Sequence, residues 1–221
     1  MDPRAKIRQQ LPDEVASYVR ELILSGAVQP GEFLRMEPIA EAVGVSNTPV
    51  REGLLTLRSE GLVHLVPRRG FVVSSFSRQD VRDIFWAQGQ IAGELAARAA
   101  RLITDEQMVM LEEIDAEFQV AADKGDTLRV TDLGVQFHVV VNKSAQSYRL
   151  ALLLDSIVNQ LPSHFYAGIE GKVSSSREDH PVLIDALKKH HVRKARELMQ
   201  EHVEGSASHL IGMLEERGMW A

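Results

Sequence analysis

A chain of 221 residues that is 44% hydrophobic and 25% charged has room for one large core or two smaller ones, and with no cysteine it excludes a disulfide framework, a thiolate nucleophile and a cysteine-ligated zinc finger. The net charge is −6, yet residues 1 to 75 carry nine Lys or Arg against nine Asp or Glu, so the whole acidic excess lies in the remainder of the chain. No apolar run reaches the length of a membrane span and the opening MDPRAKIRQQ lacks a signal-peptide stretch, so a soluble, cytoplasmic protein is expected.

In chain order, LPDEVASYVRELILSG predicts a first helix, with Val15, Val19, Leu22 and Ile23 at helical spacing and Gly26 and Pro30-Gly31 ending it. A short second helix is expected over Glu37 to Val43. Gly44 turns the chain, and a third helix runs from Ser46 or Asn47 to Glu60, which together read as helix-turn-helix. After Gly61, the β-prone runs LVHLV and FVV flank Pro67-Arg68-Arg69-Gly70, the pattern of a hairpin wing with glycine at a strained position.

In the third helix Val50, Leu54 and Leu57 form a core stripe, and Asn47, Arg51 and Arg58 fall within about 40° of one another beside it. Arg68 and Arg69 add charge at the hairpin tip. A charged stripe alone is more often a solvated face. The start of this helix shifts the balance, because Ser46 is placed to cap it and Pro49 suits a first turn where its missing N–H is not needed. Exposed amides and short hydroxyls there favour an anion.

The stretch PGEFLRMEPIAEAVGVSNTPVREGLLTLRSEGLVHLVPRRGFVV resembles the winged-helix DNA-binding domain of the GntR family of bacterial transcriptional regulators, a resemblance that spans about residues 8 to 75. It implies that Ser46, Asn47, Thr48 and Arg51 enter the major groove, with Pro49 shaping the first turn and Arg58 on the same face. Arg35, Arg68, Arg69 and Gly70 are implied near the backbone or minor groove. The family usually carries Arg where this chain has Asn47. A guanidinium prefers guanine and an amide adenine, so the base preference there is expected to differ.

A linker is expected at about residues 74 to 78. Beyond it the chain reads as about six helices: Ser77 to Arg101, opened by an S-x-x-D form, Thr104 to Lys124, Asp126 to Ala145, Ser147 to about Ala167, His180 to Lys189, and His191 onward. Pro162 is expected to bend or end the fourth, and GKVSSSRED at 171 to 179 reads as the longest polar loop. With a hairpin break at Lys189 to His191, His180 and His202 lie about 14 and 16 Å from the bend and thus level with each other. His138 from another helix would complete three imidazoles inside a bundle. Isolated histidines on helices are also, and more often, exposed or hydrogen-bonded core groups.

This second part, about residues 78 to 217, resembles the all-helical effector-binding FCD domain of the FadR branch of GntR regulators, in its six-helix, VanR-like form. The resemblance implies metal-binding roles for His138, His180 and His202, with zinc or nickel as the divalent ion. The family's aspartate ligand normally lies four residues before the first of these, where this chain has Gly134. Asp132 is on a different face. Gln88 and Ala92 stand in place of the family's Arg and Glu in the domain's first helix, which removes a bidentate carboxylate partner. Gln88 and Asn142 are placed at the effector pocket.

The expected fold is mainly α: a winged helix-turn-helix with a small β-hairpin wing over residues 1–75, then an all-α helical bundle for ligand binding and dimerisation over residues 76–221. The expected protein is a homodimeric transcriptional repressor and not an enzyme. It binds double-stranded palindromic operator DNA and responds to a small-molecule effector. A metal-dependent enzyme built on three histidines is the alternative, and a constitutive architectural protein would not need so large an acidic domain.

Overall fold

The computed structural model describes residues 3–161, 174–216 and 220. The chain folds into two compact units, Met1–Arg78 with Met213–Ala221, and Gln79–Gly212.

In the first unit, α1 (Pro3–Leu24) is followed by β1 (Phe33–Leu34), α2 (Met36–Val43), α3 (Asn47–Ser59), β2 (Val63–Val66) and β3 (Gly70–Val73). The three strands form one antiparallel sheet in the order β1-β3-β2, in which Phe33 pairs with Val72 and Val66 with Gly70. The turn between β2 and β3 holds Arg68 at φ 63 and Gly70 at φ 104. Glycine adopts that region freely, whereas Arg68 does so at a steric cost. Gly44 closes α2 in the left-handed conformation at φ 74, as its place between two helices requires.

Val15, Val19, Val50, Leu54, Leu57 and Val63 are buried in the core of this unit. Apolar side chains at helical spacing on α1 and α3 bury one stripe each, and the hydrophobic gain of roughly 1.5–3 kcal/mol per large side chain holds the helices together. Gly53 lets them come close, since a Cβ there would stand 2.7 Å from the carbonyl oxygen of Pro12. Helix α1 begins eight residues before the expected start at Leu11: Pro12, which reads as a first-turn residue, lies inside the helix. β1 was not expected. It is two residues long, too short to leave a periodicity.

The second unit is helical: α4 (Arg78–Leu102), α5 (Asp105–Asp123), α6 (Thr127–Ser144), α7 (Tyr148–Val158), α8 (Ser174–Lys188) and α9 (Val192–Glu216). α5 opens on a capping box between Thr104 and Gln107, and Asp126 caps α6 through the amide of Arg129. Leu95, Leu111, Phe118, Leu133, Phe137 and Leu187 are fully buried in the common core. α4 and α9 approach closely at Gly89 and Gly93, where an added Cβ would lie 2.8 Å from Glu204 Cγ and 2.5 Å from Gln200 Cγ.

Helix α7 ends at Val158, short of the expected Ala167, and Pro162 lies outside the described residues. The segment from Ser174 is helix, not loop, so His180 sits inside α8 with Pro181 behind it. Pro181 has no N–H for the carbonyl of Arg177; that oxygen accepts instead from Gln119 Nε2 of α5 at 3.1 Å, which makes an interior proline tolerable. The expected break between the last two helices is present. His190 turns the chain at φ 55, and the amide of His191 returns to the carbonyl of Ala186 at 2.8 Å.

Candidate functional site

The first unit presents a cationic surface built on α3, β1 and the wing. Ser46, Asn47, Thr48, Arg51 and Arg58 are exposed and Pro49 is half-buried, while Val50, Leu54 and Leu57 occupy the opposite, buried stripe. Ser46 takes the N-cap position with φ −83 and ψ 169, but its hydroxyl makes no capping hydrogen bond. The expected side-chain cap is thus absent: Pro49 fills the third helical position and has no N–H to offer, and the hydroxyl does not accept from Thr48 at the second. The amides of Asn47 and Thr48, at the first two helical positions, have no partner within the helix.

Arg35, Arg51, Arg69 and Gly70 line one cleft of about 570 Å³, floored by Phe33, Leu55 and Leu65. The guanidinium of Arg69 lies 4.5 Å from the centre of the Phe33 ring, a cation–π contact that holds a wing arginine against β1. Phe33 was not singled out in the sequence, and only the unexpected strand gives it this place. Arg68 is exposed at the tip of the wing. None of Arg35, Arg51, Arg58, Arg68 and Arg69 is ion-paired with another described residue. Arg20 is different: its guanidinium meets both carboxylate oxygens of Glu60 at 2.8 Å, with side chains only 9% and 13% exposed. Glu60, which the sequence marks only as the end of the third helix, joins α3 to α1.

In the second unit, α6, α8 and α9 bring His138, His180 and His202 together, with one ring nitrogen of each within 4.8 Å of the others. His138 Nε2 and His202 Nε2 are 3.3 Å apart. His180 is fully buried, stacked on Phe137 with ring centres 4.0 Å apart, and neither of its ring nitrogens has a hydrogen-bond partner. Burial first, and then the neighbouring His202, push the pKa of His138 down to about 3. Burial, followed by His202 and His138, holds His180 well below its ordinary value. These two rings are therefore kept neutral, the form that ligates a metal.

Gly134 is buried in α6 and brings no ligand; Asp132 is exposed and held by Arg129 and Gln136, away from the cluster. Two acids that were not singled out lie beside the histidines instead. Asp179 Oδ2 is 3.0 Å from His202 Nδ1. Asp115 Oδ1 is 3.8 Å from His180 Nδ1, and desolvation raises the pKa of this carboxyl despite a hydrogen bond from Gln119. The sequence carried a signal for Asp115, an acid one turn from buried Leu111 and Phe118 on the apolar stripe of its helix.

The set fits a metal. Bonds of about 2.0–2.1 Å on a tetrahedral ion separate two nitrogens by about 3.3 Å, and orphaned imidazole nitrogens in a buried site call for a partner. His138 and His202 also line a cavity of about 370 Å³ whose wall includes Gln88, Asn142 and Asp155. The Oδ1 atom of Asn142 is buried there without a hydrogen-bond partner. Asp155 is the only acidic side chain among the described lining residues.

Residues 11–73 match the family described as bacterial regulatory proteins, gntR family, and residues 83–205 match the FCD domain. The chain is 26% identical over 210 residues to the HTH-type transcriptional regulator YdhC of Bacillus subtilis (strain 168), covering 90% of this chain and 91% of that one. It is 23% identical over 209 residues to the gluconate operon transcriptional repressor of Bacillus licheniformis, covering 91% and 84%. The solved structure of E. coli McbR/YncC has a similar fold, with a TM-score of 0.62 at 22% identity over 94% of this chain and 98% of that one.

Proposed function

The chain belongs to the GntR family of bacterial regulatory proteins and carries an FCD domain, and on that premise we propose that it is a repressor whose hold on a palindromic operator is loosened by a small molecule in the helical unit. It is a transcriptional regulator and not an enzyme, in keeping with both families and with its relatives. Glu201, which adjoins His202 in sequence, is exposed and offers the cluster no general base.

The observation that carries the DNA-binding reading is the convergence of Arg35, Arg51 and Arg69 on one cleft beside the start of α3. Ser46, Asn47, Thr48 and Arg51 enter the major groove, Pro49 leaves the first-turn amides open to a phosphate, and Arg58 lies along the same face. Arg35, Arg68, Arg69 and Gly70 meet the backbone or minor groove. Two copies of the chain bind as a homodimer in the cytoplasm, with half-sites one turn of DNA apart, roughly 34–36 Å. Likeness to the gluconate operon repressor supports repression over activation.

His138, His180 and His202 hold zinc or nickel, since a set of three imidazole ligands suits either ion. A bound ion would supply a positive pole next to the cavity that His138 and His202 line. Gln88 and Asn142 supply hydrogen bonds to the effector, and neither Lys nor Arg is among the described lining residues to clamp a free carboxylate. Effector binding couples to DNA binding by an amount typical of such regulators, about 1–3 kcal/mol.

A gel-shift titration tests the reading. Arg51→Ala is expected to abolish operator binding while gel filtration shows an unchanged dimer; an unchanged affinity would refute the assignment.

A further inference from the structure

A divalent cation held by three neutral imidazoles brings two positive charges into a largely buried site, and an uncompensated buried charge is strongly unfavourable. The resemblance implies an aspartate one turn before the first histidine, and Gly134 stands there. Asp132 does not take its place, because it is exposed and bound by Arg129 and Gln136.

Two carboxylates approach from the flanking helices. Asp179 of α8 precedes His180 in sequence but turns to His202 of α9, with Oδ2 3.0 Å from Nδ1. Asp115 of α5 faces His180, with Oδ1 3.8 Å from Nδ1 and a side chain 14% exposed. Gln119 fixes this second acid. Its amide donates to Asp115 Oδ1 at 3.3 Å and to the carbonyl of Arg177 at 3.1 Å, so α5 and α8 are tied together where Asp115 meets His180.

Resting on the metal reading above, we propose that Asp179 and Asp115 are positioning residues that replace the missing α6 aspartate: Asp179 holds His202 from its Nδ1 side, Asp115 faces Nδ1 of His180, and the pair balances the charge of a divalent cation bound by the Nε2 atoms. Asp179 accepts from the Nδ1–H of His202, which leaves the lone pair on Nε2, the nitrogen that faces His138 at 3.3 Å. Asp115 acts at longer range. It favours the Nδ1–H form of His180 and leaves Nε2 as the donor atom. The aspartate moves from the ion's own ligand set to the ring behind it, which keeps a coordination position open where His138 and His202 border the cavity.

Zinc affinity of the full-length protein, measured by competition with a chromophoric chelator, tests this. Asp179→Asn is expected to weaken zinc binding by about 10- to 100-fold and Asp179→Glu to recover most of it. Asp115→Asn is expected to lose several-fold. Two readouts separate positioning from a general loss of structure. The tetrahedral visible spectrum of the cobalt-loaded protein should persist in Asp179→Asn, because no ligand is removed. The protected Nδ1–H resonance of His202, seen by 15N-histidine NMR, should disappear. Zinc affinity of Asp179→Asn within twofold of wild type, or a cobalt spectrum showing one ligand fewer, overturns the proposal. A wild-type protein that takes up no zinc removes the metal reading and this proposal with it, and does so before any variant is compared.

Discussion

The Nε2 atoms of His138 and His202, 64 residues apart in sequence, lie 3.3 Å from one another where α6 meets α9. With the orphaned nitrogens of His180 beside them, this geometry predicts a stability that depends on metal. Zinc at about 100 times its dissociation constant should raise the unfolding free energy by about 2.7 kcal/mol. Chelation should lower the melting temperature correspondingly. The double variant His180→Ala/His202→Ala should contain no zinc or nickel by elemental analysis and should ignore chelator. A wild type that purifies metal-free and takes up none on titration would leave the cluster without this role.

Acid should destabilise the metal-free helical unit. Folding lowers the pKa of His138 to about 3 and that of His180 well below its ordinary value, in both cases chiefly through burial. The unfolded chain therefore binds protons near pH 6.5 that the folded one refuses. Stability from these groups is present above pH 6.5 and is lost as the pH falls toward 3, at up to about 1.4 kcal/mol per unit for each histidine. Urea midpoints of chelator-treated protein at pH 7.5 and 5 measure it. His138→Gln should flatten the dependence, and a midpoint that rises on acidification would contradict the burial argument.

Periodicity and punctuation made most of the architecture legible: Val50, Leu54 and Leu57 lie on the buried stripe of α3, Gly44 closes α2, and the break near His190 is where the sequence placed it. The misplaced helix starts share a physical cause. Pro12 and Pro181 each carry the mark of a first-turn residue, yet both lie inside helices, and at Pro181 a tertiary hydrogen bond from Gln119 repairs the local deficit. At Ser46 the error ran the other way. The capping residue is in place, but its hydroxyl caps nothing, and Pro49 removes one of the two N–H groups it could accept from. Asp179 was illegible because its partner His202 is 23 residues away and meets it only through the packing of two helices. Phe33 was hidden for a similar reason, since its contact with Arg69 depends on a two-residue strand pairing with β3.

Breaking the Arg20–Glu60 pair should unfold the DNA-binding unit more readily than removing any exposed arginine. The two side chains meet in a bidentate contact and are only 9% and 13% exposed, so losing one strands the other's charge in a desolvated site. The cost for such pairs is about 3–5 kcal/mol. Arg20→Ala should therefore lower the melting temperature and with it operator binding, whereas Arg58→Ala, at an exposed position, should leave stability within about 0.5 kcal/mol of wild type. Arg20→Met/Glu60→Leu should regain most of the loss, because hydrophobic replacement of a buried pair is often neutral or better. Equal melting temperatures for Arg20→Ala and wild type would mean that the pair contributes little.

Asn47 should determine one base of each half-site. It is exposed at the first helical position of α3, beside Arg51, where the family usually places an arginine. A carboxamide pairs with the N6 and N7 of adenine, and a guanidinium with the O6 and N7 of guanine. Selection from a randomised DNA library should accordingly recover adenine at that position for the wild type and guanine for Asn47→Arg, with discrimination of about 1–3 kcal/mol. The added charge should also steepen the salt dependence of binding by about one phosphate contact. Arg68→Ala provides the contrast: a backbone contact at the wing tip should weaken binding to all sequences about equally and leave the selected bases unchanged. If Asn47→Arg changes affinity and salt slope but selects the same bases as wild type, Asn47 contacts only the backbone, and the sequence preference resides in Thr48 and Arg51.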